Sequence, residues 1–283
     1  MKWVFKGFYT VATGMVAQQR KTEILTNNMA NANTPGFKSD QTTIRSFPDM
    51  LMSAVNSTTI PTEKGFALKK LNPVGALNAG VYLQETMPNQ AQGQIYSTGL
   101  TTDVALINSS LPIDEASGNS AQIFFRLENE DGVESYTRNG NFTMDGQGNL
   151  VNPQGLFVLD ANGERLQFAN DNIRISADGA IFDENDLQVG TLGVAFSENP
   201  DVLVKQENGL FNTLDGVDLP SAYGQANVQF AMQQQYLEGS NVDASKAMTD
   251  LLTAYRAFEA NQKVLQAYDK SMEKAVNEIG RVN

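Results

Sequence analysis

Carboxylates supply nearly all the chemistry this sequence could perform. Asp183-Glu184-Asn185-Asp186 and Glu128-Asn129-Glu130-Asp131 each bring acids close enough for the acid and nucleophile pair of sugar hydrolysis. Asp or Asn precedes Gly at Asp131-Gly132, Asn139-Gly140, Asp145-Gly146, Asn162-Gly163, Asp178-Gly179, Asn208-Gly209 and Asp215-Gly216, where carboxylates could surround calcium. None of these sites repeats at the ligand spacing of an EF-hand or of glycine-rich calcium repeats, and hairpin turns explain them more simply. Charged loop tips explain the two acidic quartets in the same way. The single Trp, Trp3, lies far from them in sequence, so no Trp platform for a sugar accompanies the acids. The chain has no His and no Cys, which removes imidazole and thiolate metal ligands, His-paired nucleophiles, structural zinc and disulfides. These residues point to no enzyme, no cofactor and no metal. Asn56-Ser57-Thr58, Asn108-Ser109-Ser110 and Asn141-Phe142-Thr143 match the glycosylation triplet, a pattern too short to carry weight.

The 283 residues include 20 basic and 32 acidic ones, for a net charge of −12. The charge is unevenly spread. Residues 1–46 hold 6 basic and 2 acidic residues, whereas residues 100–240 hold 5 and 21. An acidic middle repels phosphate backbones, so no nucleic-acid partner is expected. No apolar run reaches the length of a signal peptide or a membrane helix, which predicts a soluble chain without membrane insertion or general secretion.

Two long helical stripes flank that middle. Residues 3–31 place Phe8, Met15, Thr22 and Met29 on one heptad seam and Val4, Val11, Gln18, Leu25 and Ala32 on the other, with Gly7 and Gly14 weakening the helix. Pro35-Gly36 then suits the centre of a type II turn. Residues 244–279 place Met248, Tyr255, Gln262, Asp269 and Val276 on one seam and Leu251, Phe258, Leu265, Met272 and Ile279 on the other. Asp243 suits an N-cap, Gly280 a C-terminal stop, and Glu259 with Lys263 an i,i+4 pair. Between the helices, residues 39–74 read as an extended irregular linker with short strands, because Pro61, Gly65 and Pro73 interrupt it. Residues 100–235 alternate short apolar runs with turn dipeptides, the pattern of an antiparallel sheet built from hairpins. The expected fold class is α+β: a mainly antiparallel β domain over 75–238, with long helices at 1–38 and 239–283 that pair as a coiled coil. Polar residues inside each seam suit helices that choose partners. The assembly surface is therefore expected at Phe8, Val11, Met15, Leu25, Met29, Met248, Leu251, Tyr255, Phe258, Leu265 and Met272.

Gly7 to Met15, followed by Thr26-Asn27-Asn28-Met29-Ala30-Asn31-Ala32-Asn33-Thr34-Pro35-Gly36-Phe37-Lys38, resembles the N-terminal signature of bacterial flagellar rod and hook proteins. Leu237-Glu238-Gly239-Ser240-Asn241-Val242-Asp243 and the segment from Tyr255 to Gln266, with Arg256, resemble the C-terminal signature of the same family. Gln92 to Leu100, Thr102 to Leu106 and Tyr136-Thr137-Arg138-Asn139-Gly140-Asn141-Phe142 are similar to its β-domain segments. One departure is the stretch Ile107 to Ala121, which intervenes before Ile123-Phe124-Phe125. The whole pattern is most similar to the Gram-positive hook-basal-body rod proteins. The resemblance implies a non-enzymatic structural subunit of the flagellar basal-body rod. Its terminal helices would polymerise as an inner layer around the export channel, and its β domain would form the outer layer. It implies a homo-oligomer in a helical array, contacts with other rod and hook proteins, and export by the flagellar type III apparatus. Within that resemblance, Asn27, Asn28, Ala30, Asn31, Thr34, Gly36, Phe37, Lys38, Ser240, Asn241, Val242 and Arg256 are the motif positions. A hook subunit, or a secreted polysaccharide binder or hydrolase, is the alternative. Gly36→Val is expected to impair assembly far more than it alters the stability of the isolated β domain.

Overall fold

The computed structural model describes residues 2–48, 50–60, 66–77, 80–113, 120–129, 132–206, 208–225 and 227–279. Gly280, the expected helix stop, and Asp114 to Gly118 of the intervening stretch lie outside these. The chain forms two compact units, each built from separated segments. The first comprises Met1–Asn27, Gln41–Thr86 and Ser245–Asn283, and the second Asn28–Asp40 and Met87–Ala244. Helices and mainly antiparallel strands give an α+β fold, as the sequence pattern predicts.

The first unit holds most of α1, which spans Lys2–Ala30, and of α2, which spans Ala244–Lys274 and is followed by a π-helical turn over Ala275–Ile279. A Cβ added to Gly7 would run into the Tyr268 hydroxyl, and one at Gly14 would lie 3.2 Å from Asn261 Nδ2. These two contacts recur every seven residues and run in opposite directions along the helices. The glycines lower helix propensity, but they let α2 come close. On another side of α1, Thr13 Oγ1 accepts from the Val81 N–H at 3.4 Å, next to the ribbon of strands Asp40–Ser46 and Val81–Pro88. The stretch read as irregular also contains strands of 11 and 12 residues, Met50–Ile60 and Phe66–Leu77, paired antiparallel along their length. They are longer than their Pro and Gly content suggests. Pro73 pairs with Ser53 where the register shifts, and such an irregularity tolerates a residue with no N–H to donate.

The second unit centres on strand Gln122–Glu128, which pairs with Glu134–Thr137, Phe157–Val158 and Val194–Ser197 in an eight-stranded sheet. Its apolar run is continuous because both faces are covered. Ile123, Phe125 and Leu127 enter the main core with Val104, Leu106 and Val194, while Phe124 packs with Tyr136, Ala195, Leu203 and Phe211. Four of the turn dipeptides join hairpins as expected: Asp131-Gly132 (Asp131 itself lies outside the described residues), Asp145-Gly146, Asp178-Gly179 and Asn208-Gly209. Strand Val104–Ser110 pairs with Gln229–Gln234, and Ile95–Ser97 pairs with Tyr236–Glu238. The last pairing brings the end of the β segment beside its beginning.

Candidate functional site

The α1 segment ends in the expected turn. Phe37 N–H donates to the Thr34 carbonyl at 3.3 Å across Pro35-Gly36, and Gly36 has φ +69°. Only a residue without a Cβ fits here. The conformation is left-handed, and a Cβ would lie 2.6 Å from the Arg138 carbonyl carbon. Gly36 N–H donates to the Glu238 carbonyl at 2.7 Å. The turn is thus part of the second unit, and a side chain at Gly36 is expected to strain that unit as well as assembly.

The turn delivers Lys38 to a buried charge cluster. Lys38 Nζ donates to Glu238 Oε1 at 2.7 Å and to the Ala91 carbonyl at 2.8 Å. Arg138 donates to Glu238 Oε2 through Nε at 3.0 Å and Nη2 at 2.7 Å. Its remaining reach goes to Asn108 Oδ1 and to the carbonyls of Ile123 and Leu106. Gly93 N–H donates to Glu238 Oε1 at 2.9 Å. All three charged side chains are at most 1% exposed. Burial pushes the Glu238 carboxyl up, but Arg138 and Lys38 together outweigh it and hold the group below the usual carboxylate range. For Lys38, burial and the Arg138 charge outweigh the attraction of Glu238, and its pKa falls to about 8. A buried carboxylate shared by two cations is a structural clamp, because every lone pair is occupied.

Two asparagines extend the clamp. Asn28 Nδ2 donates to the Asp40 carbonyl and its Oδ1 accepts from the Asp40 N–H, at 2.8 and 2.9 Å. Asn241 Oδ1 accepts from the Ser39 N–H, while its Nδ2 donates to the carbonyls of Asn89 and Ala91. Lys205 Nζ donates to the Lys38 carbonyl and to Asp40, and lies 3.9 Å from the centre of the buried Phe37 ring. Within the second unit, these bonds tie Asn28 to Asp40 and Asn241 to Ser39 and Asn89.

Of the expected motif residues, the clamp gathers Asn28, Gly36, Phe37, Lys38 and Asn241. Asn31 Oδ1 accepts from Thr34 Oγ1 beside the turn, Ser240 Oγ accepts from the Val242 N–H, and Asn27, Ala30 and Arg256 are exposed. Sequence reasoning missed Glu238, Arg138, Asp40 and Lys205. The first two stand inside the resembling segments, but no local pattern marks a charge as buried.

On the helices, Phe8, Val11, Met15, Leu25 and Met29 are half-buried, as are Leu251, Phe258, Leu265 and Met272. Met248 and Tyr255 are instead exposed, at 47% and 52%. The residues of α2 that come next to α1 stand one position before the seam of Met248 and Tyr255. Asn261 and Tyr268 stand next to Gly14 and Gly7, and Ala254 and Ala247, one and two heptads before Asn261, are buried.

The carboxylates bind their own turns. Asp183 Oδ1 accepts from the N–H groups of Leu187 and Asn185, which holds its pKa down. Asp145 does the same with Asn149 and Gln147, and Glu128 pairs with Arg165. Among the described residues no group of three or more acids could hold a metal ion.

Residues 8–38 match the family profile described as "Flagella basal body rod protein", residues 120–194 that of "Flagellar hook protein FlgE/F/G D1 domain", and residues 233–278 that of "Flagellar basal body rod FlgEFG protein C-terminal". Over 279 residues the chain is 40% identical to the "Flagellar hook-basal body complex protein FlhO" of Bacillus subtilis, spanning 99% of this chain and 100% of that relative. The chain belongs to the flagellar basal-body rod and hook-basal-body protein family. It is also 32% identical over 268 residues to a "Flagellar basal-body rod protein FlgG" of Agrobacterium fabrum, covering 92% of this chain and 94% of that one. The FlgG protein of Bacillus subtilis is 28% identical over 288 residues, with 97% and 99% covered. Both terminal family matches contribute to the clamp, through Asn28 to Lys38 on one side and Glu238 and Asn241 on the other.

Proposed function

We infer that this chain is a structural, non-enzymatic subunit of the flagellar basal-body rod. Its two terminal segments, both with rod-family matches, are anchored at one buried clamp, Lys38–Glu238–Arg138. That observation carries the reading, because one carboxylate ties the start and the end of the chain to the same β unit. The helices of residues 1–38 and 239–283 pair as a coiled coil and form the inner layer of a hollow shaft. Residues 75–238 form its outer layer, and 39–74 connects the two. The heptad recurrence of Gly7 against Tyr268 and Gly14 against Asn261 supports the pairing. Copies polymerise through the terminal helices, meet other rod and hook proteins at the ends of their array, transmit torque, and reach their place through the flagellar export apparatus. Deleting residues 2–27, which leaves the clamp segment Asn28–Asp40 intact, tests this. The truncated chain should stay inside cells, be absent from isolated basal bodies, and abolish swimming. Normal swimming with the truncated chain, or its presence in basal bodies, overturns the reading.

A further inference from the structure

The first unit carries two apolar surfaces that it cannot join to each other. One is a groove of about 380 Å³ between α1 and its ribbon, lined by Val16, Phe47 and Tyr82 and bordered by a single charge, Arg20. Val16 is 51% exposed there, and the rings of Phe47 and Tyr82 stack at 5.1 Å. The other is a ridge on α2, where Met248, Leu252 and Tyr255 stand in one row and Glu259 follows on the same face. At 3.6 residues per turn, Val16 lies about half a turn from Gly7 and Gly14, and the ridge lies roughly a third to a half of a turn from Asn261. A chain that keeps Tyr268 on Gly7 and Asn261 on Gly14 therefore holds its own ridge away from its own groove. Neither Arg20 nor Glu259 belongs to an ion pair among the described residues.

We propose that the Val16–Phe47–Tyr82 groove receives the Met248–Leu252–Tyr255 ridge of a second copy of this chain, with Arg20 facing Glu259. This rests on the polymerising rod reading and names the surfaces that meet. The concave member ends in a cation, the convex member ends in an anion, and both surfaces recur on every copy. Such a contact is heterologous: each copy uses its groove on one neighbour and its ridge on another, so it propagates rather than closing as a dimer.

The chain has no Cys, so introduced thiols are the only ones it carries. Val16→Cys and Leu252→Cys placed in one full-length chain should give a ladder of disulfide-linked dimers, trimers and longer species in oxidised basal bodies from swimming cells. Each single variant should stay monomeric. Monomers alone from basal bodies that contain the double variant overturn the proposal while leaving the rod reading intact. Dimers from Leu252→Cys alone also overturn it, because they show ridge against ridge. Absence of the wild-type chain from basal bodies overturns both. A second measurement uses the two charges. Arg20→Glu and Glu259→Arg should each shrink the swimming zone on soft agar, and the double exchange should restore it. A double variant no better than either single one overturns the pairing.

Discussion

Replacing Glu238 by Gln keeps the shape of the side chain and removes the charge that two buried cations share. Lys38 and Arg138 would then stand uncompensated in the interior, a loss of about 3–5 kcal/mol. Chemical denaturation of the full chain, followed by tryptophan-independent circular dichroism in the β region, should show that loss at neutral pH. The sign of the pH dependence follows from the same group. Its folded pKa is held below the ordinary value, so the unfolded chain takes up the proton first as pH falls. The stability that Glu238 supplies is present above pH of about 4.3 and drains away below it, and Glu238→Gln should flatten that acid limb. Lys38 works on the alkaline side. With a folded pKa of about 8 against an ordinary value near 10.5, the unfolded chain holds more protons between these limits, so stability contributed by this site rises with pH there. A Lys38→Met variant should lack that rise, which denaturation at pH 8 and pH 10 would reveal. These residues were within the family-like segments of the sequence, yet nothing in one dimension distinguishes Glu238 from a surface carboxylate. Its partners are 200 and 100 residues away.

Helix faces are more legible than charges, because period is a local property. The apolar spacing of α1 and α2 announces two long helices, on which Leu251, Phe258 and Leu265 are half-buried. What the spacing hides is the contribution of Ala247, Ala254, Gly7 and Gly14. Small residues count for little on an apolar scale, but they decide how near two helices can come. Gly7→Val should therefore separate the helices by forcing a side chain into Tyr268, and Tyr268→Ala in the same chain should recover part of the contact. Hydrogen exchange over α1 and α2 measures this directly: faster exchange in the single variant, partial return in the double one. The triple change Leu251, Phe258 and Leu265 to Ser should likewise speed exchange in the helices while exchange in strand Gln122–Glu128 stays unchanged. Strand length shows the opposite failure of legibility. Pro73 and Gly75 argue against a long strand, and the register shift beside Ser53 is what lets one form.

At the scale of the whole chain, charge divides with the fold. The first unit holds 14 basic and 9 acidic residues, the second 6 and 23. Each of those 6 cations sits in an ion pair within its own unit: Lys38, Arg126, Arg138, Arg165, Arg174 and Lys205. The second unit therefore shows neighbours an almost purely anionic surface, and copies placed side by side repel one another at low ionic strength. Salt screens such repulsion over about 10 Å at 0.1 M. Sedimentation of the full chain should accordingly show self-association rising from low salt to about 0.3 M, and no rise would count against this account. The acidic middle was plain in the sequence. The interleaving of segments was not, because it depends on meetings between residues far apart in the chain.

That interleaving has a consequence for breakage. The chain passes from one unit to the other four times, after Asn27, Asp40, Thr86 and Ala244. A protease that severs any one passage leaves three covalent links in place, and only four separate cuts would free one unit from the other. The units are held like the two sides of a laced boot. A snapped lace at one eyelet loosens the join without opening it, and in a turning shaft the load on each passage is a fraction of the whole.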